Sequence, residues 1–380
     1  MKEEIKRSVS AIQPKLLAAI KELVAIESVR GHSTPGAPFG EGPKQALLKA
    51  LELSEQLGFE TVNHDNIIGY AQYGEQKTSE YYGIFGHVDV VAAGEGWFSP
   101  PYEATIRDHR LFGRGVLDNK GPILANLYSL YLLKELKVQF PMPVRIVFGT
   151  NEESGFACVK HYLTKEKPPV FGWTPDCKWP VVYGECGRLR VEVVADESKD
   201  ENLFNWINAY CFSSISNGKS LGIDFKDQDF GAVKIRGYQL KKEAGQVKFG
   251  FSIVYPQACT SDEIVAQIQE TLTASLQLKL LSNWDPVRSS APSTYIDRIQ
   301  DTFNQVTQLH LSPVTTTGGT YAKIIPNIVA YGPSYPGQKD IAHLPNEWMD
   351  LQDLEMNTLI YAQALYQLST AMNKGESENG

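Results

Sequence analysis

Seven acidic and imidazole side chains stand where an apolar run gives way to a loop. They are His87 and Asp89 in HVDVV, Asp118 in GRGVLDNKGP, Glu152 and Glu153 after PVRIVFGTN, Asp176 in TPDC, and His343 in AHLPNEW. Singly, each has an ordinary use. A histidine at a strand end is more often structural than a ligand, and an aspartate before a helix reads as an N-cap. Paired glutamates are usually solvated, Asp176 suits a turn, and His343 is a loop histidine. As a set they read differently. Two imidazoles with Asp118, Glu153 and Asp176 make a hard, mixed nitrogen and oxygen donor set suited to Zn²⁺ or Mn²⁺. Two divalent ions about 3.5–4 Å apart can share one carboxylate and one water, polarising a carbonyl and acidifying the water together. One acidic residue is then left over as a general base, which such hydrolysis needs. Strand alternation puts His87 and Asp89 on one side, so the Asp89 carboxylate is expected to orient the imidazole.

The elements that must hold these groups alternate between helix and strand. Apolar residues at helical spacing predict helices over Leu16–Ile26 and Lys44–Leu57, and Ile67–Tyr73 reads as a strand. The run Tyr81–Val91 predicts a strand buried on both faces. Pro122 suits a first helical turn, with Ile123–Leu136 continuing it, and Pro143–Gly149 is a further β-branched strand. This is the pattern of an α/β sheet with helices on both faces, whose ligands gather at strand ends. From Gly187 the texture changes. Strand, helix, hairpin about Ala244-Gly245, helix and strand follow through Leu281, the β-α-β-β-α-β order of a ferredoxin-like unit. The expected organisation is therefore residues 1–183 and 284–380 as one α/β domain, with 184–283 inserted as an α+β unit. Residues 374–380 read as a disordered tail.

The chain's 36 basic and 44 acidic side chains give a net charge of −8. That balance argues against nucleic acid or an anionic membrane as partner, since both reward a basic face. No apolar run is long enough to span a bilayer, and the charged start is not followed by a leader-like apolar segment. Five irregularly spaced cysteines without C-x-x-C signal neither a disulfide framework nor a zinc ribbon. Free thiols in a reducing, cytoplasmic setting are the expectation.

Six segments in order, HVDVVAAGEGW, WFSPPYEATIRDHRLFGRGVLDNKGP, FGTNEESG, TPD, TTTGGTYAK and AHLPNEW, resemble the co-catalytic di-zinc peptidases. That family includes PepV-type dipeptidases, carnosinases, acetylornithine deacetylase and succinyl-diaminopimelate desuccinylase, and GGTYAK leans towards the PepV-type branch. The resemblance implies a catalytic α/β domain of the di-zinc aminopeptidase/carboxypeptidase type with the inserted unit as its lid. It implies two Zn²⁺, with Mn²⁺ or Co²⁺ as alternatives. His87 and Asp176 would hold one ion, Glu153 and His343 the other, with Asp118 bridging and its peptide to Asn119 in cis. Asp89 would support His87, and Glu152 would be the base. Gly318, Gly319, Thr320 and Lys323 would bind the substrate's C-terminal carboxylate.

Three departures bear on this. Position 119 is Asn where the branch often has a second Asp, and position 323 is Lys where many relatives carry Arg, exchanging a bidentate fork for a point charge. No histidine lies between His161 and His310, so the lid lacks the residue that relatives aim at the scissile carbonyl. Arg188 is the nearest candidate to replace it. The leading expectation is hydrolysis of short peptides with free ends. Its alternatives are an N-acyl or N-succinyl amino acid deacylase and an idle metal-bound binding protein. Open strand edges on the short lid are a route to a homodimer.

Overall fold

The computed structural model describes residues 1–75, 77–212 and 216–370, so the expected tail at 374–380 lies outside the described residues. The chain divides into two compact units. One comprises Met1–Val182, Ser289–Pro313 and Thr320–Gly380; the other comprises Tyr183–Arg288 and Val314–Gly319.

In the first unit, strands Glu60–His64, Ile68–Tyr73, Val144–Gly149, Tyr82–His87, Phe171–Thr174 and Ile328–Ala330 lie side by side in that order. The last four run parallel; the first two are antiparallel additions at one edge. Strands Tyr82–His87 and Val144–Gly149 are buried at every residue, as their β-branched and aromatic composition predicts. The helix Lys120–Glu135 is buried along nearly its whole length and packs with helices Lys2–Val24 and Leu351–Ser369. Its polar side chains are satisfied inside. Asn126 accepts from the Trp173 indole at 3.0 Å, and Ser129 donates to the Thr358 carbonyl at 3.0 Å.

Two boundaries differ from expectation. The first helix begins at Lys2 rather than Leu16, because Ile5, Val9 and Ile12 extend its buried stripe beneath a charged exterior. The strand predicted to reach Val91 leaves the sheet at His87. Beyond it, the Val90 amide turns to the Ser28 carbonyl at 3.1 Å, so the chain peels towards another loop where the functional residues lie.

The second unit carries strands Lys234–Glu243, Gln246–Tyr255, Gly187–Asp196 and Leu276–Trp284 in that spatial order, every neighbour antiparallel. Helices Asp200–Ile207 and Ser261–Glu270 complete a ferredoxin-like β-α-β-β-α-β chain order. Alternation is clean on Gly187–Asp196. Leu189, Val191 and Val193 enter a core with Leu203, Trp206, Ile264 and Ile268, while Arg188 and Arg190 face outward. Thr260 starts the second helix through a reciprocal capping box with Glu263. Residues 314–319, within the segment that sequence assigns to the first domain, cluster with this unit.

Candidate functional site

The parallel strands deliver the functional residues at their C-terminal ends. Register pairs His87 with Gly149, so the loop carrying Glu152 and Glu153 departs beside the histidine. Asp176 follows the adjacent strand Phe171–Thr174. Asp118 sits before the buried helix, joined to Asn119 by a cis peptide. His343 arrives from a distant loop, with a left-handed backbone at φ 65°.

These seven side chains do come together. His87 Nε2 lies 3.0 Å from Asp118 Oδ1 and 3.6 Å from Asp176 Oδ2. His343 Nε2 lies 2.9 Å from Asp118 Oδ2 and 3.0 Å from Glu153 Oε1. The two oxygens of Asp118 thus face different imidazoles. Donor atoms of His87, Glu152 and Asp176, and of His87, Asp118 and Glu153, form two groups within 4.8 Å that could each hold a metal ion. His87 is fully buried, whereas the His343 side chain is 52% exposed, so the cluster opens to solvent on the His343 side.

Four carboxylates in so small a volume repel one another. Burial and the charge of Asp118 push Asp176 up to about 7. Burial, with Asp176 next, raises Glu152 well above the carboxylate range, and burial with Asp118 raises Glu153. The imidazoles respond in kind. Hydrogen bonds to Asp118 and Glu153 raise His343 to about 11. Burial opposes protonation of His87, yet the Asp176 charge and the bonds to Asp118, Asp176 and Asp89 outweigh it and raise its pKa. Asp118, despite its burial, is held low by both histidines. Without a cation the cluster must retain protons; divalent cations would replace them, and the donor chemistry fits such ions.

Asp89 meets His87 and also a second partner that the sequence does not announce. The nearest partner of His87 Nδ1 is the Asp89 carbonyl at 2.9 Å, with the carboxylate 3.5 Å away. The carboxylate also accepts the amides of Glu152 and Glu153, each at 3.1 Å. One residue therefore orients the imidazole through its main chain and the Glu-Glu turn through its side chain.

Asn119, noticed in the sequence only as a departure, is a working residue. Its Nδ2 donates to the Pro175 carbonyl at 2.6 Å and its Oδ1 accepts from the His87 amide at 3.3 Å, tying together the loops of His87, Asp118 and Asp176. An ionised aspartate has no donor for Pro175, which gives Asn a physical reason here. Gly86 leaves room for it, since a Cβ there would lie 2.5 Å from Asn119 Oδ1. Lys120, next in line, turns its ammonium to the carbonyls of Leu23 and Ile26 at 3.0 and 2.7 Å, and burial lowers its pKa to about 7.

Of the residues expected to bind substrate, Thr320 and Lys323 belong to the first unit. Thr320 caps the short turn Tyr321–Lys323 by accepting the Ala322 amide at 3.1 Å. Buried Tyr321, which sequence reasoning passed over, meets the His87 ring edge-on and approaches Cys158 Sγ at 3.1 Å. Gly318, Gly319 and Arg188 belong to the second unit. There Arg188 is exposed, its pKa lowered by partial burial and by Arg236 and Arg190 nearby.

The family model described as Peptidase family M20/M25/M40 matches residues 83–367. The chain belongs to this family and is a metallopeptidase. Among curated proteins it is 28% identical to a Bacillus subtilis (strain 168) protein named "Putative dipeptidase YtjP", over 93% of this chain and 97% of that protein. It is 24% identical to "Putative dipeptidase SSP1012" of Staphylococcus saprophyticus, over the same shares. The first alignment runs over 455 positions against 380 residues here, so that relative carries additional segments. Among solved structures the fold is similar to human carnosine dipeptidase 1, with TM-score 0.74 and 16% identity over 97% of this chain and all of that one. It is also similar to the Bacillus subtilis YXEP protein, titled a dinuclear metal binding peptidase, with TM-score 0.65 and 11% identity over 95% and 99%. Among the described residues no helix is long and apolar enough to cross a membrane.

Proposed function

We propose that this protein hydrolyses the peptide bond of dipeptides and other short peptides with free ends, using two divalent metal ions held side by side. In this reading His87 and Asp176 would hold one ion and Glu153 and His343 the other, with Asp118 as a ligand available to both. The observation that carries it is the Asp118 carboxylate, whose two oxygens address two imidazoles from opposite ends of the chain. Zn²⁺ suits the donors best, and Mn²⁺ or Co²⁺ would fit the same set. When bound, such ions polarise the scissile carbonyl and lower the pKa of a water between them.

Glu152 is the general base. Its carboxylate stands in the cluster with His87 and Asp176, placed to take a proton from water and pass it to the leaving amine. Asp89 fixes where Glu152 stands by holding its amide. Thr320 and Lys323, with Gly318 and Gly319, bind the substrate's terminal carboxylate, Lys323 as a single cationic point. Arg188 supplies a donor to the developing oxyanion in place of the absent lid histidine. The second unit, 183–288 with 314–319, acts as the lid. Its edge strands Lys234–Glu243 and Leu276–Trp284 expose Leu240, Leu280 and Leu281, which supports pairing of two copies along an edge. The cysteines are all free thiols, in keeping with a reducing cytoplasm.

The dipeptide preference draws on the names of the curated relatives. Its test is a panel of unblocked dipeptides and N-acyl amino acids, run on chelator-stripped protein with Zn²⁺, Mn²⁺ or Co²⁺ restored singly. Metal-dependent release of amino acids from dipeptides is the expected result. Cleavage of the N-acyl compounds alone would reassign the protein as a deacylase.

A further inference from the structure

The buried carboxylate of Glu347 has no part in the chemistry above, yet it lies beneath it. Its Oε1 accepts three main-chain amides at once, from Gly115 at 3.0 Å, Leu117 at 2.9 Å and Asp118 at 3.1 Å. Its Oε2 receives Arg114 Nη1 at 2.7 Å, and its own carbonyl accepts the Gly113 amide at 3.0 Å. Both Glu347 and Arg114 are buried. Arg114 also donates to the Ala92 and Ala93 carbonyls at 3.3 and 3.2 Å and lies over the Trp97 ring at 5.4 Å.

Convergent amides of this kind form an anion-binding nest. Gly115 makes it attainable, with φ +90° and a position where a Cβ would come within 2.9 Å of Val90. Here the anion belongs to the chain itself. Glu347 lies four residues after His343, and the Asn346 side chain between them holds Gly96 and Phe98 by a donated and an accepted hydrogen bond. The segment bearing His343 is therefore fastened directly to the amide of Asp118. Arg114 fastens both to the segment that follows His87.

We propose that Glu347 is the positioning residue of this centre, setting the spacing of Asp118 and His343 and thereby the affinity for the ion those two residues share. The proposal rests on the ligand reading given above. A carboxylate is needed because every group facing it is a donor. A glutamine would keep one acceptor oxygen and turn an amide NH2 donor towards Arg114 or the nest, leaving a buried guanidinium without its counter-charge.

The test uses Glu347→Gln and the milder Glu347→Asp, which keeps the charge but retracts it from the nest. Each chelator-stripped variant is titrated with Zn²⁺ by calorimetry, melted with and without metal, and assayed for kcat and KM on a cleaved dipeptide over a range of metal concentrations. The expected result is a folded protein whose weaker-held ion loses about 10–100-fold in affinity, with kcat restored by excess metal and KM little changed. Glu152→Gln, run alongside, should gain nothing from excess metal. Folded variants with wild-type metal affinity overturn the proposal. So does failure of both variants to fold, which would assign Glu347 to stability alone. If the unaltered protein binds no metal, or His343→Ala leaves its stoichiometry unchanged, the ligand reading itself fails, and that outcome is distinct.

Discussion

The loops that carry the metal-ligand candidates and the sheet face that carries Arg188 are built on opposite plans. In the first unit these loops are held by buried polar side chains that each bond at more than one point. Asp89 takes two amides, Asn119 spans His87 and Pro175, and Glu347 takes three amides and a guanidinium. In the second unit Arg188, Arg190 and Arg236 stand exposed, and none has an ion pair among the described residues. Positions that must be accurate to fractions of an ångström are fixed several times over. The three arginines are not held in this way. The contrast is one between a cluster fixed by buried bonds and a cationic face left open.

Four measurements would break or sharpen it. The largest effect is expected from His343→Ala, which should take metal stoichiometry from two to one and abolish turnover; two ions retained at full affinity would dissolve the contrast at its centre. Glu152→Gln should keep both ions and the fold while lowering kcat by about 10²–10⁴. Wild-type turnover at saturating metal would strip Glu152 of its role. Arg188→Ala should cost about 10²–10³ in kcat if the arginine donates to the oxyanion. An effect on KM alone would leave the second unit to recognition and make the division sharper.

The smallest effect is on stability and concerns the protons that stand in for cations. Asp176 is raised to about 7, chiefly by burial and the charge of Asp118, against an ordinary value near 4, and Glu152 and Glu153 are raised beside it. Between about pH 4 and 7 the folded protein therefore binds more protons than the unfolded chain, so the stability of the stripped protein must fall as pH rises through that window. The metal-free melting temperature should be higher at pH 5 than at pH 7.5. Zn²⁺ should shrink or reverse that difference, because the ions replace the protons. A stripped protein that gains stability over the same interval would contradict the electrostatics described.

The cluster was legible because each of its members follows a recognisable strand or loop signal. What joins them was not. The partner of the Asp89 carboxylate is the amide pair of Glu152 and Glu153, more than sixty residues away, and Glu347 reaches amides some 230 residues distant. Such bonds answer main-chain donors left over once loops have folded, and no side-chain pattern announces them. The hidden half of the first helix has a simpler cause. Charges at Lys2–Arg7 obscured the stripe of Ile5, Val9 and Ile12 that packs inward. The second unit was read well because its strands alternate plainly, buried against exposed, and a capping box marks its second helix.

Lys120 ties the opening segment of the chain to the helix that follows Asp118, a bond that the family match does not cover. The family match begins at residue 83, whereas the carbonyls that hold this ammonium belong to Leu23 and Ile26. A fragment trimmed to the matched span would leave a buried amine two residues from Asp118 with no acceptor, beside a helix stripped of its neighbour. The folded unit in this sequence therefore extends well upstream of its recognisable signature to include the first helix.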